Sequence, residues 1–70
     1  MTFGDLRRAA KLTQEQAAEA IGVDKTLVVR WESGKTIPRK SNLTRMSKAY
    51  GCDIEEIAEA VIETRGVNAV

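Results

Sequence analysis

The 70-residue chain has no histidine, one cysteine, one proline and only three aromatic residues. Cys52 has no partner for an internal disulfide, which fits a reducing compartment, and we interpret it as a small apolar residue packed between helices. No cluster of histidine, cysteine and carboxylate side chains has the spacing of a metal site, and no glycine-rich phosphate loop is present. These absences argue against an enzyme, and we expect no cofactor, metal or small-molecule substrate.

Long apolar runs are also missing. No segment approaches the ~20 apolar residues that a membrane-spanning helix needs, and no secretory leader pattern begins the chain. We therefore expect a cytoplasmic protein without a membrane partner. Its length fits a single domain near the lower limit for independent folding.

Helix-forming residues dominate and strand-like alternation is absent, which predicts an all-α domain. The pattern places five helices at about 3–11, 14–21, 25–33, 39–50 and 54–64, with Gly66 ending the last one. We expect a domain over residues 1–65 and a C-terminal tail over 66–70. The residues predicted to face the core are Phe3, Leu6, Ala10, Leu12, Ala17, Ala18, Ile21, Val28, Trp31, Leu43, Met46, Ala49 or Tyr50, Ile54, Ile57, Ala58 and Val61.

Residues 13–34 form the most informative stretch. Thr13 and Gln16 have the spacing of a capping box, and Gly22 is suited to the turn that follows the helix. Asp24 is a good N-cap for the next helix, and Gly34 is a good residue to end it. Two short helices joined by a tight glycine turn are typical of proteins that read DNA.

Charge is unevenly distributed although the net charge is only +1. Residues 1–23 are neutral, residues 24–48 carry a net charge of +5, and residues 49–70 carry −4. Positive charge concentrated in one part of a chain is the electrostatic requirement for a nucleic-acid surface. The basic residues of the middle part are Lys25, Arg30, Lys35, Arg39, Lys40, Arg45 and Lys48.

The paired motifs Leu-Thr-Gln-Glu at 12–15 and Trp-Glu-Ser-Gly-Lys at 31–35 resemble those of the Cro/repressor-like (XRE-type, lambda-repressor-like) helix-turn-helix family. The resemblance covers about residues 5–57. It implies a compact five-helix DNA-binding domain with the helix-turn-helix at helices 2 and 3. Helix 3 of such a domain enters the major groove, and helix 2 lies across the DNA backbone.

The resemblance also assigns roles to single residues. Lys25, Thr26, Val29 and Arg30 match the positions that reach base edges, where Arg and Lys suit guanine and Val suits a thymine methyl. Cations, amides and hydroxyls at the start of helices 2 and 4 and in the loop between helices 3 and 4 match phosphate contacts. These expected phosphate contacts are Gln14, Lys35, Thr36, Arg39, Lys40, Ser41 and Asn42.

Other matching residues are expected to have structural roles. Arg7 and Glu32 match an ion pair that holds helix 3 against the core, and Trp31 is interpreted as a core anchor. Three departures from the family pattern stand out. Ala17 is smaller than usual, Leu27 is apolar where polar residues are common, and the motif does not cover the tail after Thr64. In addition, Arg39 stands where a Ser or Thr usually caps helix 4.

The resemblance implies a sequence-specific transcriptional regulator, most simply a small repressor of phage, prophage or plasmid type, encoded by a bacterium or phage. Its partner is a double-stranded DNA operator with two half-sites, bound by a homodimer. Helix 5 and the tail are the candidate dimer surface through Val61, Ile62, Val67 and Val70. The alternative is a module that binds a protein partner, such as an antitoxin or accessory subunit, through Leu27 and the acidic helix 5.

Overall fold

The computed structural model describes residues 1–68, except for the side chain of Asn68. In this part of the chain every regular element is an α-helix, in agreement with the all-α, five-helix prediction. None of these helices has both the length and the apolar character that crossing a membrane would require. The helices are α1 (Phe3–Ala9), α2 (Gln14–Ile21), α3 (Lys25–Glu32), α4 (Lys40–Tyr50) and α5 (Ile54–Asn68).

Capping boxes begin the first two helices. At α2 the Thr13 hydroxyl accepts from the Gln16 N–H at 3.0 Å, and the Gln16 side chain accepts from the Thr13 N–H at 3.0 Å, as predicted. Thr2 and Asp5 form the same arrangement at α1. Each box satisfies two backbone donors that lack a partner within the helix, so the sequence determines both starting points locally.

Glycine ends α2 and follows α3 in the left-handed conformation. Gly22 has φ of 88° and Gly34 has φ of 77°. After α3 the Lys35 N–H donates to the Arg30 carbonyl and the Gly34 N–H to the Trp31 carbonyl. This bonding pattern satisfies the last carbonyls of the helix and needs a residue that tolerates positive φ.

The predicted end of α1 at Lys11 is wrong, because α1 ends at Ala9. Lys11 instead takes the left-handed position at φ 61°, and the Leu12 N–H donates to the Arg7 carbonyl. It is the one residue other than glycine with positive φ among those described. The chain after α1 therefore has the same hydrogen-bond pattern as the chain around Gly34. The left-handed position is occupied by lysine, although glycine would be less strained there.

The core draws residues from all five helices. α2 packs against α3 and α4, while α5 packs against α4 and α1. Ala17 is fully buried, so the small residue on α2 lies at the centre of this packing. The buried apolar side chains are Phe3, Leu6, Ala17, Ala18, Ile21, Val28, Trp31, Met46, Tyr50, Ile57 and Ala60, and Leu43 is only partly buried.

The predictions for α5 need correction. Ile54 is 50% exposed and Ala58 is exposed, whereas Ala60 and Thr64 are buried with Ile57. The side of α5 that faces inward is therefore the 57, 60 and 64 side, with Val61 partly buried. Apolar residues are frequent around this helix, so their spacing does not by itself select a face.

The predicted end of α5 at Thr64 is also wrong. The Thr64 hydroxyl accepts from the Phe3 N–H at 2.9 Å, which fastens the last turns of α5 to the start of α1. Gly66 does not take a positive φ, and the helix continues through it to Asn68. Residues 66–68 of the expected tail are helical, and Val70 lies outside the described residues.

Candidate nucleic-acid interface

The centre of the candidate interface is α3, joined to α2 by a short turn over residues 22–24. Val28 and Trp31 are 1% and 2% exposed and fix the inner side of α3 on the core. The outer side carries four exposed residues, and we call these the reading face. The reading face consists of Lys25, Thr26, Val29 and Arg30.

Val29 is 39% exposed, although a valine gains stability from burial. Asp24 occupies the N-cap position of α3, yet its side chain makes no capping hydrogen bond. Backbone N–H groups at the start of α3 therefore have no side-chain cap of the kind found at α1 and α2. The first turn of α3 thus presents both side chains and backbone donors to solvent.

Arg7 and Glu32 form a bidentate ion pair, with Arg7 Nε 2.6 Å from Glu32 Oε2 and Nη2 3.2 Å from Oε1. Both side chains are nearly buried, at 12% and 11% exposure. Arg7 Nη1 also donates to the Leu12 carbonyl at 2.9 Å. The hydrogen bond with Glu32 raises the pKa of Arg7 above its ordinary value, so the guanidinium stays charged. The pair links α1 to the end of α3, as expected of a residue pair that orients the reading face.

Gln14 extends this pair into a three-residue network. Its amide Nε2 donates to Glu32 Oε1 at 3.2 Å, and its side chain is partly buried. A side-chain amide has two N–H donors, and this bond uses one of them. Gln14 therefore braces α3 through Glu32 and keeps one N–H donor for a second acceptor.

Tyr50 is a neighbour of this network that the sequence reasoning left undecided. Burial is the main cause that raises its pKa to about 12, and the Glu32 charge adds to it. Its hydroxyl is buried and has no hydrogen-bond partner among the described residues. The sequence left Ala49 and Tyr50 as alternatives for the inner side of α4, and the structure shows Tyr50 buried and Ala49 only partly buried.

The expected phosphate contacts lie at the start of α2, in the loop after α3 and in the first turn of α4. Lys35, Thr36, Arg39, Lys40 and Ser41 are exposed, and Asn42 is partly buried like Gln14. The predicted helix start at Arg39 is corrected to Lys40, because Arg39 has the extended backbone of an N-cap and makes no side-chain cap. A shallow groove joins this region to α3; its lining residues are Leu27, Trp31, Thr36, Ile37, Arg39 and Asn42.

Within residues 1–68, none of the seven basic residues of the 24–48 segment forms an ion pair. The ion pairs within residues 1–68 join Arg7 with Glu32, Arg8 with Asp5, and the amino group of Met1 with Glu63. All seven basic side chains are exposed. Their charges therefore add to one another at the surface instead of being offset within the fold.

An all-α domain with a capped helix, a glycine turn and a second helix whose outer side is exposed and basic has the architecture of a helix-turn-helix protein. The Helix-turn-helix family model matches residues 4–57, and the chain belongs to this family. No solved structure matches the chain significantly.

Two curated relatives give the context of this domain. The chain is 42% identical over 52 residues to the HTH-type transcriptional activator BcrR of Enterococcus faecalis, covering 74% of this chain and 26% of BcrR. It is 36% identical over 53 residues to the cryptic phage CTXphi transcriptional repressor RstR of Vibrio cholerae, covering 76% of this chain and 48% of RstR. The chain thus spans about a quarter and about half of the length of these relatives.

Proposed function

We propose that the chain is a sequence-specific DNA-binding transcription regulator, not an enzyme, and that α3 reads the major groove. The observation that carries the proposal is the reading face, which is exposed, partly basic and fixed from behind by Trp31 and the Arg7–Glu32 pair. A rigid helix that presents polar and basic side chains outward is what major-groove recognition requires. Both named relatives, an activator and a repressor, are transcription regulators.

Base recognition is assigned to the reading face. Arg30 is suited to bidentate bonds with guanine, and Lys25 also reaches guanine acceptors. Val29 offers a methyl contact to thymine, and this contact would bury a side chain that is 39% exposed in the isolated domain. Thr26 contributes a hydroxyl to a base or phosphate at the start of the helix.

Phosphate binding is assigned to the residues that flank the reading face. Gln14 retains an N–H donor at the start of α2, where backbone donors also favour an anion. The loop and the first turn of α4 add cations, hydroxyls and an amide around the groove beside α3. These contacts supply affinity and register, and the reading face supplies sequence preference. The assigned phosphate contacts are Gln14, Lys35, Thr36, Arg39, Lys40, Ser41 and Asn42.

The proposal includes a homodimer that binds two half-sites. In its simplest form the protein is a repressor of phage, prophage or plasmid type that acts in the cytoplasm. One such domain buries too little surface to bind an operator tightly alone. The exposed apolar residues Ile62 and Val67 of α5, at 73% and 67% exposure, support a contact between copies through this helix. Val61 is partly buried beside them. The relative from Vibrio cholerae supports the phage-type context, since it is named as a cryptic phage repressor.

Selection of bound duplexes from a random DNA library tests the proposal. We expect enrichment of one sequence arranged as two related half-sites. The Arg30→Ala variant should lose about 1–3 kcal/mol on the enriched site and relax the preference at one base pair. The matched variant Lys40→Ala should weaken binding about equally on all sequences, because a phosphate contact carries no sequence information.

Two results would contradict the proposal. If no sequence is enriched at low salt, the chain is not a DNA reader, and a protein partner becomes the better explanation. If Arg30→Ala and Lys40→Ala weaken all sequences equally, Arg30 is not a base-reading residue.

A further inference from the structure

Arg45 and Lys48 form a second concentration of positive charge on α4, and neither residue belongs to the reading face or to the assigned phosphate contacts. Arg45 and Lys48 are exposed and three residues apart, so they lie on the same side of the helix as Ser41 and Thr44, which are also exposed. We call these four residues the α4 ridge. The opposite side of α4 carries Met46 and Tyr50, which are buried in the core.

The two cations have no carboxylate partner in the part of the chain that the structure describes. α4 contains no carboxylate, and none of the ion pairs within residues 1–68 includes Arg45 or Lys48. Like charges three residues apart on a helix destabilise it by a few tenths of a kcal/mol. Lys48 lies in the last turn of α4, where a cation interacts favourably with the helix dipole, whereas Arg45 lies in the middle of the helix and has no such benefit. An external anion beside the two cations would offset their mutual repulsion.

The α4 ridge continues the basic segment that begins beside the reading face. Lys40 directly follows Arg39 and starts α4, and the distance from Lys40 to Lys48 along the helix is about 12 Å. One strand of B-DNA carries a phosphate every ~3.4 Å along its axis, so this length corresponds to about three nucleotides.

The composition of the α4 ridge favours a phosphate backbone over a protein surface. Protein interfaces have an apolar centre, whereas the ridge consists only of hydroxyl and cationic side chains. A second copy could offer opposite charge through the acidic residues of its α5, Glu55, Glu56 and Glu59. However, the ridge has no apolar side chain that could form the centre of a protein interface. Phosphate contacts require charge and hydrogen-bond donors alone.

We propose that the α4 ridge binds phosphates of the same duplex beyond the part that α3 reads, with Arg45 and Lys48 as the cationic contacts and Ser41 as a neutral donor. The Thr44 hydroxyl donates to the Lys40 carbonyl at 3.3 Å and so is excluded as a donor to DNA. This inference rests on the proposed DNA-binding function and extends its footprint by two residues that no family position assigned.

The salt dependence of binding tests the inference. The double variant Arg45→Gln/Lys48→Gln is compared with the wild type on a duplex of about 30 base pairs that carries the enriched site, between ~50 and ~200 mM salt. Each lost phosphate contact lowers the slope of log K against log salt by about 0.9, so the wild-type advantage over the variant should shrink roughly tenfold across this range.

A matched control removes the same charge elsewhere. Lys11→Gln/Arg65→Gln also removes two exposed cations, from the end of α1 and from α5. We expect its salt slope to equal that of the wild type. Circular dichroism of all three proteins checks that the helices are retained.

Three outcomes separate the possibilities. If the wild type shows a steep slope and the Arg45→Gln/Lys48→Gln variant shows the same slope, the ridge inference is wrong and the proposed function stands. If the two cations instead drive self-association without DNA in sedimentation experiments, the ridge binds a second copy and the inference is overturned. If the wild type enriches no site and binds no DNA, the proposed function itself fails.

Discussion

At the scale of single residues, Lys11 shows a conflict between backbone geometry and side-chain type. The chain turns at φ 61° there, in the region that glycine tolerates best. The motif that ends α1 is satisfied by hydrogen bonds from Leu12 and Lys11 to the last turn. Lys11 is therefore held in place by its neighbours and not by its own preference.

Replacing Lys11 by glycine should stabilise the domain. The left-handed conformation costs a residue with a Cβ about 1 kcal/mol, and glycine avoids this strain. Part of the gain is offset, because glycine has greater conformational freedom in the unfolded chain. We expect Lys11→Gly to raise the free energy of unfolding by roughly 0.5–1 kcal/mol in urea denaturation. The control Lys11→Ala removes the charge and keeps the strain, so it should give no gain. A Lys11→Gly protein no more stable than Lys11→Ala would contradict this explanation.

Tyr50 gives a pH-dependent prediction, since its pKa of about 12 in the fold exceeds the ordinary value of 10.0. Folding favours the neutral phenol, so the associated stability is complete below pH ~10 and is lost as the pH rises through the folded pKa near 12. The total loss is about 2–3 kcal/mol. As the only tyrosine in the chain, Tyr50 can be followed by tyrosinate absorbance.

The Tyr50→Phe variant provides the comparison. Because the hydroxyl has no hydrogen-bond partner among the described residues, Tyr50→Phe should be at least as stable as the wild type at neutral pH. Its advantage should grow as the pH rises above ~10. A tyrosinate midpoint in the folded protein equal to that of the denatured chain would exclude the burial effect.

At the scale of the helices, α5 has a structural role at its end as well as along its length. Thr64 is 1% exposed, and its hydroxyl accepts the Phe3 N–H, one of the donors that α1 does not satisfy within itself. Thus the free backbone donors at the start of α1 are satisfied partly by Thr2 and partly by Thr64 of α5.

Replacing Thr64 by valine should test this contact, because the side chain keeps its shape and loses the acceptor. Leaving a buried N–H unpaired costs about 1–3 kcal/mol. We expect Thr64→Val to lower the free energy of unfolding by that amount. The control Thr64→Ser keeps the hydroxyl, loses one methyl group and should cost less, about 1 kcal/mol. Equal losses for both variants would show that packing, and not the hydrogen bond, is what Thr64 provides.

At the scale of the whole molecule, positive and negative charge are unevenly distributed among the helices. Seven of the exposed cations lie on α3, α4 and the loop between them, while α5 carries four exposed carboxylates and also the exposed Ile62 and Val67. This distribution supports the proposed contacts of α3 and α4 with DNA and of α5 with a second copy.

The proposed homodimer gives a prediction at this scale. Ile62→Glu places a charge on the most exposed apolar residue of α5, at 73% exposure, so the isolated domain should fold normally. Affinity for a duplex with both half-sites should fall at least tenfold, because cooperation between copies is lost. Affinity for a duplex with one half-site should not change. The control Ile62→Leu keeps an apolar side chain, and equal binding by all three proteins would rule out α5 as the dimer contact.

The sequence by itself determined the elements that depend on neighbouring residues. The Thr13–Gln16 box, the glycine at 22 and the Trp-Glu-Ser-Gly-Lys motif predict the helix pair and the inward position of Trp31, because caps and turns act over a few residues. The family resemblance added Arg7 and Glu32 as expected partners, and the structure forms this pair. The charge asymmetry followed from residue counts alone.

Only the tertiary structure decided what depends on packing between distant segments. It turned Ile57, Ala60 and Thr64 of α5 inward instead of Ile54 and Ala58, since apolar residues occupy both sides of that helix. It tied Gln14 to Glu32, 18 residues away. The physical reason is one of range: hydrogen bonds within a helical turn are specified by local sequence, whereas a buried face is selected by the surfaces that the other helices leave open.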